Sequence, residues 1–258
     1  AKAYYYLGNF WYNARQYADA AECWEKSAEL DEAFPTVFRN LALYYFNKAK
    51  QADKALACME KAHALEPRDA RVLMELDQLY KRLNRSPEQR LDFLEQQPEL
   101  VVQRDDLYLE RLSLYNLLGE HAKALELLLS RKFHPWEGGE GKVSEQYVLS
   151  LLELAKKALR KKEFEAALVF LQKSLSYPLN LAEGKLLVAQ ENDIYYWMAC
   201  ALEGLNRADE AARCWEHAGK GITEPAAAFF YNDQKPDKIL YQGWSLLKLG
   251  RREEANER

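Results

Sequence analysis

Cysteine, glycine and proline are scarce in this sequence of 258 residues, which contains 4, 11 and 8 of them respectively. So few glycines and prolines leave little material for flexible linkers, because these residues break regular structure. Hydrophobic residues make up 48% of the chain, which is enough for a sizeable core. The cysteines form no C-x-x-C motif and the 4 histidines are scattered, so no metal site and no cofactor are predicted.

Long apolar runs and an excess of one charge are also missing. No apolar run approaches the roughly 18 residues that a membrane-spanning helix requires, and no targeting segment is visible. The net charge is −4 with both signs interspersed, whereas a nucleic-acid-binding surface needs a basic patch. Because few cysteines are present and none is in a paired motif, a reducing compartment is the simpler expectation. These absences predict a cytoplasmic protein that binds neither nucleic acid nor membrane.

What the sequence does contain is a motif that returns about every 34 residues. The motif combines a small residue in a first helix with an alanine in a second helix, and large apolar residues surround both at the spacing of a buried helical face. Repeat one shows it as Leu7, Gly8, Trp11, Tyr17, Ala20, Trp24 and Ser27. Because one helix pair cannot bury this face alone, neighbouring pairs must stack. The sequence therefore predicts an all-α stack of helix-turn-helix repeats.

This spacing resembles the tetratricopeptide repeat (TPR) family. The resemblance implies one α-solenoid domain, wound as a right-handed superhelix with a concave groove along the first helices. Repeats are predicted at residues 1–34, 35–69, 70–104, 105–132, 147–178 and 192–219, with a partial repeat at 236–258. Because the partial repeat stops inside its second helix, we expect a fragment of a longer protein. Cys23, Cys58 and Cys214 share one position in three repeats, which favours packing over metal binding.

The resemblance also implies that an extended peptide binds in the groove. The first-choice contacts are Tyr5, Asn9, Tyr12, Arg39, Asn40 and Arg71, and a second aromatic stripe includes Trp197 and Trp244. Asparagine amides can bond a peptide backbone, and aromatic faces can pack its side chains or belong to the core instead. Some TPR modules hold a peptide's terminal carboxylate at positions matching Asn9 and Asn40. Here Tyr5 and Glu75 replace the expected basic residues, so that clamp is not favoured.

Three predicted insertions interrupt the repeats at residues 133–146, 179–191 and 220–235. Each follows a second helix and precedes a first helix, so we expect all three along one edge, as a composite docking surface or as loops that plug helix ends. The contact candidates in the first insertion are His134, Trp136, Glu137 and Glu140, and the third adds Phe229, Phe230 and Tyr231. Catalysis is not predicted, because nothing in the sequence defines the separation of the two glutamates.

The leading functional prediction is a monomeric, non-catalytic scaffold that binds a peptide or protein segment. That segment belongs either to a partner or to the rest of the same polypeptide. Residues 130–258 are also similar to the TPR half of large bacterial proteins that carry an amino-terminal domain of uncertain function, so a missing amino-terminal domain is one expected partner. The alternative is an accessory region of a carbohydrate-active enzyme whose catalytic domain lies outside this chain.

Overall fold

A computed structural model describes residues 1–226 and 233–258, and within these ranges the regular structure is helical. A π-helical turn at Tyr45–Ala49 and a 3-10 turn at Leu179–Leu181 accompany the α-helices. The α-helices are α1 Lys2–Asn13, α2 Tyr17–Leu30, α3 Pro35–Tyr44, α4 Ala52–Leu65, α5 Ala70–Arg82, α6 Pro87–Glu95, α7 Pro98–Val101, α8 Asp105–Leu117, α9 His121–Ser130, α10 Lys142–Arg160, α11 Phe164–Ser174, α12 Asn192–Gly204, α13 Ala208–Ala218, α14 Pro236–Lys248 and α15 Arg252–Asn256. The predicted all-α fold class is confirmed.

The chain divides into two compact units, Ala1–Leu114 (unit 1) and Tyr115–Arg258 (unit 2). In unit 1, α1 pairs with α2 and α3 pairs with α4, and α2 packs in turn on α3. In unit 2, α10 pairs with α11 and α12 with α13, while α11 packs on α12. Each unit is thus a stack of consecutive helix pairs, the arrangement expected for a repeat whose apolar face is buried only by its neighbours. The predicted repeat boundaries and the handedness of a superhelix stay predictions.

The alanine of the repeat is the most tightly packed position. Ala20, Ala55, Ala124, Ala167 and Ala211 are all 0% exposed. A methyl group is small enough for the two helices of a pair to approach closely, and the larger side chains then fill the space between pairs. Those larger buried side chains are Trp24, Met59, Leu128, Leu171 and Trp215. Each contributes roughly 1.5–3 kcal/mol by burial, so the repeat is the main source of the core.

Repeat two carries one extra residue between its helices, and the structure absorbs it locally. The end of α3 widens into the π-helical turn, and Lys50 follows with φ of +57° in the left-handed region. Insertion of one residue into a helix is the usual origin of such a turn. The next helix, α4, then begins at Ala52, and its Ala55 returns to the buried position.

The insertions lie in unit 2. The first is shorter than expected, because α10 begins at Lys142 whereas the repeat was predicted to begin at 147. Phe229, Phe230 and Tyr231 of the third insertion lie outside the described residues. Among the helices of the described ranges, none is both long and apolar enough to cross a bilayer. All four cysteines are free thiols.

Candidate binding surfaces

In unit 1, two of the predicted contact residues form a bonded pair of amides. Asn9 on α1 accepts hydrogen bonds at Oδ1 from Trp24 Nε1 at 3.1 Å and from Asn40 Nδ2 at 3.1 Å. The buried Trp24 also donates to the Tyr5 carbonyl at 3.3 Å. These bonds orient both amides. Asn9 Nδ2, a donor, and Asn40 Oδ1, an acceptor, make no hydrogen bond within the described part of the chain.

These amides border a pocket of about 290 Å³, which we call the amide pocket; it is lined by Asn9, Tyr12, Asn13, Trp24, Asn40 and Leu43. The Tyr12 ring lies 5.5 Å from the Trp24 ring, between centroids. Tyr5 is not part of the lining and packs edge-on against Phe34, with the ring centroids 5.0 Å apart. The structure therefore brings Asn9, Tyr12 and Asn40 together and leaves Tyr5 beside them.

The two predicted arginines of unit 1 already bind a carboxylate of the same chain. Arg39 donates from Nε and a terminal nitrogen to both oxygens of Glu75, each at 2.5 Å. Arg71 adds a bond from Nε to Glu75 Oε1 at 3.2 Å. The hydrogen bonds to Glu75 raise the pKa of Arg39. Glu75 thus occupies the position that a peptide carboxylate would need, because bidentate pairing uses the planar face of the guanidinium.

In unit 2, the predicted Trp197 and Trp244 belong to an aromatic cluster with Tyr196 and Tyr241. Trp197 Nε1 donates to Tyr241 Oη at 3.2 Å, and the Tyr241 and Trp244 rings meet edge-on at 5.3 Å between centroids. Burial raises the pKa of Tyr196 to about 12. Trp244 remains 39% exposed. The cluster is therefore partly a packing element and partly an accessible surface.

The insertions of unit 2 are joined by specific hydrogen bonds. Asn180 of the second insertion donates from Nδ2 to the backbone carbonyls of Leu128 and Arg131, at 2.9 and 2.8 Å. The backbone carbonyl of Asn180 accepts from the backbone amide of Phe133 at 2.8 Å. The Ser144 amide donates to Glu183 Oε2 at 2.9 Å. That carboxylate lies at the amino-terminal end of α10, where the helix dipole favours negative charge. The first two insertions are therefore one ordered structure.

The third insertion joins them through its described residues. The Lys235 amide donates to Gln190 Oε1 at 3.1 Å, and Lys235 Nζ bonds Glu145 Oε1 on α10 at 2.7 Å. Asn192 donates to the carbonyls of Ala218 and Lys220, each at 2.8 Å. These contacts place the described residues of the three insertions close together, whereas their position along one edge of a superhelix stays a prediction.

Between the insertions and the helices α10, α12 and α14 lies a cavity of about 810 Å³, the insertion cavity. The four predicted residues of the first insertion, His134, Trp136, Glu137 and Glu140, all line it. Trp136 lies against Gly139, where an added Cβ would come within 2.2 Å of the indole Cε2. A glycine is needed at this position, because any side chain would displace the ring from the cavity wall.

The lining of the insertion cavity is strongly acidic. Its described residues include the carboxylates Glu137, Glu140, Glu145, Glu153, Glu183, Glu191, Asp193, Asp233 and Asp237, against the lysines Lys156, Lys235 and Lys238. Each lysine already has a carboxylate partner: Lys156 bonds Glu153 at 2.7 Å, for example. Negative charge is therefore in excess, and field lines from like charges concentrate in a concave site.

Asp193 is the most unusual of these carboxylates, and sequence reasoning missed it. Its residue is 4% exposed, and Oδ2 pairs with Lys238 Nζ at 2.5 Å. Oδ1 is buried and has no hydrogen-bond partner in the described ranges. The sequence held no signal for this, because an aspartate in the first turn of a helix is ordinarily explained by the helix dipole. Among the described residues, no group of three or more His, Cys, Asp or Glu is arranged to hold a metal ion.

Comparison with known proteins agrees with the helical repeat. Residues 1–34 match the sequence model of the family described as Tetratricopeptide repeat. A tetratricopeptide repeat protein from Parabacteroides merdae superposes with a TM-score of 0.51 at 11% identity, over 98% of this chain and 88% of that one. The structure of Naa15/Naa10 bound to HypK-THB gives a TM-score of 0.50 at 13% identity, over 98% of this chain and 35% of that one. Residues 1–34 thus match a tetratricopeptide repeat, and the chain has the fold of TPR proteins.

Proposed function

We propose that this chain is a non-catalytic interaction scaffold that holds an extended peptide segment at the amide pocket of unit 1. The observation that carries the proposal is the pair Asn9 and Asn40, whose mutual hydrogen bond leaves a donor on Asn9 and an acceptor on Asn40. A peptide backbone presents the complementary acceptor and donor at every residue. The ring of Tyr12 supplies an aromatic wall for a peptide side chain.

The position of Glu75 argues for the middle of a segment and against its carboxyl terminus. A terminal carboxylate would have to displace Glu75 from Arg39. Arg39 would then lose its bidentate pair with Glu75 in exchange for one with the peptide, so little binding energy would be gained. An internal stretch of backbone needs no such exchange. The segment comes from a partner protein or from elsewhere in the same polypeptide. The accessory role in a carbohydrate-active enzyme stays a prediction.

The test uses a randomised dodecapeptide library selected on the wild-type chain, followed by calorimetric titration of the enriched peptides. Asn40→Ala removes the free acceptor and the bond that orients Asn9, and we expect about three- to tenfold weaker binding. Gln16→Ala is the matched control, because Gln16 is an exposed amide in the same unit and makes no side-chain hydrogen bond to the described residues. It should bind as the wild type does.

Two results would contradict the proposal. One is a selection that enriches no peptide. The other is a set of enriched peptides that bind Asn40→Ala and wild type equally well. Circular dichroism of Asn40→Ala should show unchanged helix content, because the buried Trp24 keeps its bond to the Tyr5 carbonyl.

A further inference from the structure

The insertion cavity has charge that the described residues do not neutralise. Glu145 pairs with Lys235, and Glu153 pairs with Lys156. Glu137 and Glu140 line the cavity without an ion pair to the described residues. A solvated acidic cluster alone would carry no conclusion, since exposed carboxylates are well hydrated.

The second observation is the unpartnered oxygen of Asp193. Oδ1 is buried in a residue that lines the cavity, and no donor in the described ranges reaches it. A buried carboxylate oxygen without a hydrogen bond is costly, so a donor from a ligand would relieve an existing penalty. Lys238, on the opposite oxygen, shows that a cationic amine fits this carboxylate at 2.5 Å.

The walls of the cavity suit a long cationic side chain. Tyr241 and Trp136 line it together with apolar residues such as Leu152 and Val188. Aliphatic stems pack on apolar walls while the charged group reaches a carboxylate. The cavity volume of about 810 Å³ is larger than the volume of a single amine and accommodates several residues of a peptide.

From these observations we propose that the insertion cavity binds a basic peptide segment of a partner protein, with a lysine or arginine side chain donating to Asp193 Oδ1. Glu137 and Glu140 attract the segment at the cavity entrance. The site lies in unit 2 and is independent of the amide pocket proposed in unit 1.

The test measures fluorescence anisotropy of a labelled, end-blocked peptide of alternating glycine and lysine. Asp193→Asn preserves the shape of the side chain and removes its charge, so we expect at least about tenfold weaker binding, the loss typical of a charge-assisted hydrogen bond. Glu137→Gln/Glu140→Gln should weaken binding about two- to fivefold and lower its salt dependence, as exposed charges do. Because both glutamates are exposed, this variant tests the proposal even if Asp193→Asn does not fold.

The matched control is Glu163→Gln/Glu165→Gln, which makes the same change of net charge at exposed positions of unit 2 outside the cavity. Its affinity should equal that of the wild type. Asn40→Ala should also bind the lysine peptide normally, so a failure of the amide-pocket proposal would not affect this result.

The proposal is overturned if a peptide of alternating glycine and acetyl-lysine binds as tightly as the lysine peptide, because the charge would then be irrelevant. It is also overturned if the cavity variants and the control variant lose affinity equally. Spermidine tests whether the ligand is a peptide. If spermidine binds as tightly as the lysine peptide, the proposal of a peptide site is overturned and the cavity is a site for small amines.

Discussion

The two units build different surfaces from the same repeat. In unit 1, the polar groups at the predicted groove bond with one another: Arg39 binds Glu75, and Asn9 binds Asn40. In unit 2, the insertions form a cavity of about 810 Å³ against about 290 Å³ for the amide pocket. Close packing of successive helix pairs leaves little empty space, so a large site requires extra chain between the pairs. The repeat helices thus form the packed framework, and the insertions create the cavity.

The buried carboxylates show the same difference. Asp77 of unit 1 is fully buried and uses both oxygens, which accept from Arg90 at 3.0 and 2.6 Å. Arg90 also donates to Glu110 at 2.8 Å. Asp193 of unit 2 is bonded through one oxygen in the described ranges and faces a cavity. Asp77 is therefore satisfied at both oxygens within unit 1, whereas Asp193 has one buried oxygen without a hydrogen bond in the described ranges.

The largest effect is expected from removing the cation of each buried pair. Arg90→Met should destabilise unit 1 by about 3–5 kcal/mol, because Asp77 is left charged and enclosed. Lys238→Met should cost less, about 1–3 kcal/mol, because Asp193 borders a cavity that water can enter. Hydrogen exchange measured by mass spectrometry should show the loss in α5 and α6 for the first variant and in α12 and α14 for the second.

The exposed Arg85, which bonds Glu60 at 3.3 Å, supplies the control for that comparison. Arg85→Met should change stability by no more than about 1 kcal/mol. Equal destabilisation by Arg90→Met and Lys238→Met would contradict the distinction between an enclosed and a cavity-facing carboxylate.

A second prediction concerns the internal carboxylate of unit 1. Glu75→Gln removes the charge that occupies Arg39 and Arg71, so unit 1 should gain affinity for peptides with a free carboxyl terminus. A gain of about 1.5–3 kcal/mol is expected, equivalent to roughly ten- to a hundredfold. Titration with matched peptides, one with a free and one with an amidated carboxyl terminus, measures it. If both peptides respond alike, Glu75 does not compete for that position.

The smallest effect is expected at equivalent glycines of the first and last repeats. A Cβ on Gly8 would lie 2.5 Å from the Trp24 ring, whereas a Cβ on Gly243 would lie 3.6 Å from the nearest atom, the Ala255 carbonyl oxygen. Gly8→Ala should therefore destabilise unit 1 by about 1–3 kcal/mol through overpacking. Gly243→Ala should be neutral or stabilise α14 by up to about 1 kcal/mol through helix propensity. Urea unfolding of both variants tests this, and a stabilising Gly8→Ala would contradict it.

The core and the helix pairs were predictable because they depend on local periodicity. Ala20 and its equivalents recur at one register of the repeat, and that register alone places them between two helices. Asn9 and Asn40 were both predicted to face the groove from neighbouring first helices, but their mutual hydrogen bond was not predicted. The hydrogen-bond partners of side chains were less predictable. Glu75 was recognised as a departure from a carboxylate clamp, but its bonds to both Arg39 and Arg71 were not predicted.

The sequence by itself determined the helical repeat and its buried alanines, because both are recorded in the spacing of neighbouring residues. Only the tertiary structure decided what the interruptions build. Asn180 bonds carbonyls 52 and 49 residues earlier in the chain, and Asp193 meets Lys238 from the next repeat. Such contacts depend on how separate helix pairs and loops pack in space. No local pattern encodes which carboxylate is left with an oxygen that has no hydrogen bond in the described ranges.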